Sequence, residues 1–132
     1  MIFAGAVIAD SRAALRVLET SHPPTLYFPP GAVDMERLRP GRGASVCEWK
    51  GLASYWDIAT ASQVARAAAW SYEHPNQAYA SLTGYLAFYP SRVDACYLDE
   101  ERVDAQEGDF YGGWITQDLR GPFKGGPATA GW

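Results

Sequence analysis

The stretch Ala53-Ser54-Tyr55-Trp56-Asp57-Ile58-Ala59-Thr60-Ala61-Ser62-Gln63-Val64-Ala65-Arg66-Ala67-Ala68-Ala69-Trp70-Ser71-Tyr72 decides the fold. Two readings compete for it. Ala61, Ala65, Ala67, Ala68 and Ala69 favour a helix over 60–70 on intrinsic propensity. The flanking Tyr55, Trp56, Ile58, Val64, Trp70 and Tyr72 favour a strand, a turn near Ser62-Gln63, and a second strand. From these residues alone both remain open.

Working outward, the neighbours are rich in β-forming residues and in turn signals. Ala44 to Ile58 reads as the longest strand-like run, with a bulge or bend at Gly51. Pro40-Gly41-Arg42-Gly43 before it reads as a loop. Phe3 to Asp10 reads as a strand or hairpin arm around Gly5. Ser11 to Leu15 can begin a helix capped by Asp10 or Ser11, but Leu15 to Glu19 also reads as a strand, stopped by His22-Pro23-Pro24. Thr25 to Phe28 is a short strand, and Val33 to Leu38 a helical turn or a strand. Downstream, Asn76 can cap a short helix over Gln77 to Leu82. Leu86 to Tyr89 and Val93 to Leu98 read as strands. Asp99-Glu100-Glu101 reads as a polar turn before a return strand near Val103.

From Gly108 onward the composition changes. Seven of the 13 glycines fall in the last 25 residues, together with Phe110, Tyr111, Trp114, Phe123 and Trp132. A flexible linker is Gly/Ser-rich and poor in aromatics, so an ordered tail packed on the domain is expected. The reading is a single mostly β domain over 1–107, antiparallel and tent-like or barrel-like, with one or two short helices and a tail over 108–132.

Composition narrows function mainly by exclusion. At 132 residues the chain forms one domain able to bury a core without staples. A formal charge of −4 and a pI near 5.0 provide no basic field for nucleic acid. No apolar run approaches the ~20 residues of a membrane-spanning helix. The opening Met1 to Gly5 has no basic n-region, so no secretory signal is expected and a cytoplasmic location is. Cys47 and Cys96 lie far apart in such a chain and read as thiols, not as a bridge.

The blocks Ala9-Asp10-Ser11, Leu18-Glu19-Thr20-Ser21-His22-Pro23-Pro24, Cys47-Glu48-Trp49-Lys50-Gly51, Ala69-Trp70-Ser71-Tyr72, Leu86-Ala87-Phe88-Tyr89-Pro90 and Arg92-Val93-Asp94 resemble the bacterial family called domain of unknown function 427. The ending from Gly108 to Trp132 is similar to the tail that many members carry. An upstream aromatic-proline segment found in many members is absent here. The resemblance implies a small, mostly β, tent-like or barrel-like domain. It also implies strand-turn-strand for Ala53 to Tyr72, because relatives often place polar, Gly-containing turns where this chain has Ala61-Ser62-Gln63. It implies little about activity. Some members carry a nucleotidyltransferase label, yet no D-x-D pair after a Gly-Ser turn is present here to hold Mg²⁺.

Other chemistries lack their motifs as well. Gly121-Pro122-Phe123-Lys124-Gly125-Gly126-Pro127 is glycine-rich but does not have the order of a P-loop. No C-x-x-C knuckle supports zinc, and no metal or cofactor is predicted. Lys50 lies three residues from Cys47, but on a straight strand such residues face opposite sides and do not meet.

The strongest candidate is the aromatic set: five Trp, eight Tyr and five Phe make the chain 14% aromatic. Trp49, Tyr55, Trp70, Tyr72 and Tyr89, if brought together from neighbouring strands, form the wall of a small-ligand pocket with a few placed polar groups. In that reading Trp70 and Tyr72 stack or hydrogen-bond, Tyr55 orients, and Lys50 and Glu19 pair with ligand charge or with each other. The expected partner is a small organic ligand, with no nucleic acid and no membrane, and the β edges offer a homodimer surface. Two alternatives accompany it. One is a small enzyme using Glu19 or Lys50 as acid or base. The other is an interaction module docking through its C-terminal tail.

Overall fold

The structure is a computed structural model, and it describes residues 1–12, 14–18, 24–47, 50–98, 100–106 and 112–117. The first strands, β1 (Ile2–Phe3) and β2 (Ala6–Val7), form a hairpin whose turn places Ala4 and Gly5 at positive φ. β3 (Leu15–Val17) pairs antiparallel with β4 (Thr25–Tyr27). The main sheet is an antiparallel meander of β5 (Leu38–Cys47), β6 (Gly51–Ala59), β7 (Val64–Ser71) and β8 (Leu86–Phe88). β9 (Tyr97–Leu98) pairs with β10 (Glu101–Arg102), and β11 (Asp104–Ala105) with β12 (Trp114–Ile115). Phe28 and Leu86 exchange two backbone hydrogen bonds, of 2.7 and 2.9 Å, which continue the sheet from β8 to β4. The domain is mostly β and antiparallel, and among the described residues the sheets do not close into a barrel.

The alanine-rich stretch is strand, turn and strand. Thr60 closes the turn: its N–H donates to the Gln63 carbonyl at 2.9 Å, and its hydroxyl accepts the Gln63 N–H at 3.1 Å. Alanine's helix preference is small, and it yields because these alanines, as residues of β7, bury their short side chains against the packed rings and branched chains of the core. Ala65, Ala68 and Ala69 are all buried in one core. A bulge makes this possible. Trp56 pairs with Ala69 and Ile58 with Ala65, so extra residues on β7 face Asp57. Ala67 takes a φ of 48° there. The Asp57 carboxylate accepts the Ala67 N–H at 2.8 Å, and Arg92 donates to the Ala67 carbonyl at 2.7 Å. The backbone groups freed by the bulge therefore keep partners.

Three expectations change. Pro40 to Gly43 is not a loop; it lies within β5, where the register lapses between Pro40 and Ala44. Ala44 to Ile58 is not one bent strand. Cys47 pairs with Gly51, so the chain reverses there, and Gly51 takes a φ of +112° that a side chain adopts only with strain. The short helices are 3-10 turns at Pro30–Ala32, Met35–Arg37, Gln77–Leu82 and Pro90–Arg92. Each is too short to offset the nucleation cost of an α-helix, and the Asn76 side chain does not cap the third.

Alternation along the strands sends side chains into two separate clusters. Leu26, Phe28, Ile58, Ala69, Leu86, Phe88 and Trp114 fill one. Tyr27, Ala53, Trp70, Tyr72, Ala87 and Tyr89 form the other. The tail begins by joining this architecture. Trp114 is 1% exposed, donates its indole N–H to the Phe88 carbonyl at 3.2 Å, and pairs with Ala105. The tail beyond 117 and residues 108–111 lie outside the described residues. No helix among the described residues is long and apolar enough to cross a membrane.

Candidate functional site

β6, β7 and β8 supply the aromatic cluster by simple period-two logic. Ala53 and Tyr55 on β6, Trp70 and then Tyr72 along β7, and Ala87 and then Tyr89 along β8 all point to the same side. Tyr55 is the cross-strand partner of Trp70, and Trp70 of Ala87. The small Ala53 and Ala87 leave room for rings beside them. β4 adds Tyr27 from across the sheet while its neighbour Phe28 enters the other cluster. Four of the six predicted site residues, Tyr55, Trp70, Tyr72 and Tyr89, are thus brought together.

The rings meet at angles, not as a stack. Trp70 and Tyr89 lie 4.5 Å apart between centroids at 48°. Tyr27 meets Trp70 edge-on at 6.2 Å and Tyr72 at 6.4 Å. The polar tips are joined to one another. The Trp70 indole N–H donates to the Tyr27 hydroxyl at 3.4 Å, and the Tyr55 hydroxyl donates to Ser45 Oγ at 2.9 Å. Burial raises the pKa of the Tyr89 phenol well above its ordinary value, and the neighbouring Tyr55 hydroxyl, hydrogen-bonded to it, pushes it further. Tyr89 is therefore a neutral hydroxyl over the whole physiological range. The Arg92 guanidinium lies 4.1 Å from the Tyr89 ring centroid.

Lys50 sits at one end of the cluster and is only 4% exposed. Its Nζ lies 3.7 Å from Cys47 Sγ and 5.5 Å from the centroid of the Tyr79 ring, and both of those residues pack against the aromatic cluster. The expectation that Lys50 and Cys47 point apart is corrected. The chain reverses between Cys47 and Gly51, so straight-strand alternation does not apply there. The Asn76 N–H donates to the Lys50 carbonyl at 2.8 Å and ties this turn to the following loop. Glu19 and Trp49 lie outside the described residues.

Four contributors escaped sequence reading: Tyr27, Ser45, Tyr79 and Gly112. Tyr27 was legible in principle, because Tyr27-Phe28 on one strand must face opposite sides. Gly112 had no local signal. A Cβ there would lie 2.7 Å from Trp70 Cζ3 and 3.2 Å from Tyr89 Cδ1. The backbone of the incoming tail therefore lies directly on the two rings, and only glycine allows that approach.

Every buried side-chain nitrogen or oxygen among the described residues has a partner. No three His, Cys, Asp or Glu side chains gather among them to hold a metal. A separate cavity of about 370 Å³ lies between the Pro90–Cys96 segment and β10–β11, with Asp94, Arg102 and Asp104 on its wall. None of the predicted site residues lines it.

A family model described as domain of unknown function DUF427 matches residues 1–99. The chain belongs to this family. That span holds every described member of the aromatic cluster except Gly112, so the sheet and its tyrosines are part of the DUF427 domain while the glycine that covers them comes from beyond it. A search of curated proteins finds no match.

Proposed function

We propose that this DUF427 protein is a small-molecule-binding β domain whose site is the tyrosine- and tryptophan-bearing face of the sheet. The observation that carries this reading is the segregation of side chains. The protein fills one core mainly with aliphatic and phenyl groups, Trp114 being its one fully buried indole among the described residues, and gathers Tyr27, Tyr55, Trp70, Tyr72 and Tyr89 on the other side, next to a buried lysine. A core built only for stability has little use for so many polar tips, since each requires a partner. A ligand site needs broad apolar walls with a few oriented donors, and hydroxyls linked as Tyr55 and Ser45 are can re-pair with a guest.

The ligand is a small organic molecule with a flat apolar body, held against Trp70 and Tyr72. Its acidic or strongly accepting group lies toward Lys50. Tyr89 acts as a neutral hydrogen-bonding group, and Tyr55 offers the hydroxyl that now donates to Ser45. Gly112 lies over Trp70, so entry requires that the tail backbone lift or that the guest slide beneath it from the Lys50 end.

The test is a thermal-shift screen of a metabolite library on the wild type and on Trp70→Ala. A compound that raises the wild-type melting temperature and leaves the variant unmoved supports the site. A library that moves neither, or a hit that moves both equally, defeats it.

A further inference from the structure

The two thiols of this protein stand in opposite surroundings. Cys96 is 1% exposed, and burial pushes its thiol up to about 12 despite the nearby N-terminal ammonium. Cys47 is half-buried at the end of β5, and the Lys50 Nζ lies 3.7 Å from its sulfur. That pairing is built, not incidental. The Cys47–Gly51 register closes the hairpin, the Asn76 N–H holds the Lys50 carbonyl, and the Tyr79 ring lies against the ammonium. Lys50 is thus confined beside a sulfur that solvent can reach.

We propose that Cys47 and Lys50 form an oxidant-responsive pair: a hydroperoxide converts Cys47 to a sulfenic acid, and Lys50 Nζ then closes on the sulfur as a reversible sulfenamide cross-link. The first step forms an S–O bond and breaks the O–O bond of the peroxide. Sulfur is oxidised, peroxide is reduced, and with hydrogen peroxide the departing hydroxide takes up the proton lost by the thiol and leaves as water. Negative charge passes to the departing oxygen in this step, and an ammonium within 4 Å offsets it. The second step forms an S–N bond and breaks the S–O bond. The hydroxyl departs as water with one proton of the Lys50 ammonium, and a second proton goes to solvent. A sulfenic acid condenses with a nearby nitrogen in this way when geometry brings the two together, and a thiol reductant reverses it. Cys96, which is 1% exposed and so closed to a peroxide from solvent, serves as the internal comparison. The proposal does not depend on the ligand reading, although the cross-link would consume the lysine at one end of that site.

The test treats the folded wild-type protein with hydrogen peroxide, digests it with trypsin without reductant, and maps the products by mass. The pair predicts loss of cleavage after Lys50, giving one peptide from Gly43 to Arg66 that is two hydrogens lighter than its reduced form. Dithiothreitol restores both the mass and the cleavage. Lys50→Arg abolishes the cross-link and leaves a sulfenic acid at Cys47 that dimedone captures. Three outcomes overturn the proposal: normal cleavage after Lys50 in oxidised wild type, oxidation of Cys96 in preference to Cys47, or a Cys47 that stays a thiol in folded protein while urea-unfolded protein oxidises.

Discussion

The two sides of the β5–β8 sheet are built from the same strands and differ in chemistry. On one side Phe28, Ile58, Leu86, Phe88 and Trp114 bury rings and branched chains, and Phe28 and Phe88 meet edge-on at 5.8 Å. On the other, Tyr27, Tyr55, Trp70, Tyr72 and Tyr89 bury rings that carry polar tips. Neighbouring residues divide between them: Tyr27 from Phe28, Trp70 from Ala69, Ala87 from Phe88. The first side shows what hydrophobic burial alone selects, and it anchors the tail through Trp114. The second also packs its rings at angles, with Trp70 and Tyr89 4.5 Å apart, and differs in carrying hydroxyls and an indole N–H that pair through Trp70 to Tyr27 and Tyr55 to Ser45.

Breaking the first side has the largest effect. Phe88→Ala removes a fully buried ring, and denaturant unfolding is expected to show a loss of about 3–5 kcal/mol. Gly112→Ala comes next. Its methyl collides with Trp70 and Tyr89, so a loss of about 1–3 kcal/mol and a changed Trp emission spectrum are expected. If the melting temperature of this variant equals that of the wild type, the tail backbone does not lie on those rings. Tyr27→Phe removes the hydroxyl that accepts the Trp70 indole N–H while keeping the ring, and calorimetry should show a smaller loss of about 1 kcal/mol. An equal loss in Phe88→Ala and Tyr27→Phe would erase the contrast between the two sides.

Alkaline pH sharpens the same comparison. The Cys96 thiol sits on the apolar side with a folded pKa of about 12, above the value of 9.0 for a free thiol. The folded state therefore holds a proton that the unfolded state releases. The stability this thiol contributes is complete below about 9 and is lost as pH rises toward 12. Tyr89, on the aromatic side, is raised in the same direction and extends the decline beyond the ordinary tyrosine pKa of 10.0. Denaturant midpoints measured across this range should fall with pH. Cys96→Ala should flatten the earlier part of the fall and leave the later part. A Cys96→Ala profile parallel to the wild type would contradict the burial of that thiol.

Much of this arrangement was legible in the residues. The mostly β, antiparallel character followed from aromatic and β-branched runs broken by glycine and proline. The gathering of Tyr55, Trp70, Tyr72 and Tyr89 followed from alternation once Ala53 to Tyr72 was taken as a hairpin. Its alanines misled on propensity, and the resemblance to relatives corrected them. The position of Lys50 was not legible, because strand alternation fails inside a reversal and Gly51 was taken for a bend. The hidden bulge at Ala67 depends on Asp57 and on Arg92 from a distant turn, which no local pattern encodes. Gly112 over Trp70 is likewise a contact made only by the tertiary fold.

The most direct test of the aromatic side as a binding face is an indole N–H spectrum by nitrogen-correlated NMR, recorded during titration with any compound that raises the melting temperature. Trp70 and Trp114 report from opposite sides of the sheet, the first donating to Tyr27 and the second to the Phe88 carbonyl. The signal of Trp70 is expected to move in proportion to occupancy while that of Trp114 holds still. Movement confined to Trp114, or to the Asp94–Arg102 cavity with both indoles unmoved, would contradict it.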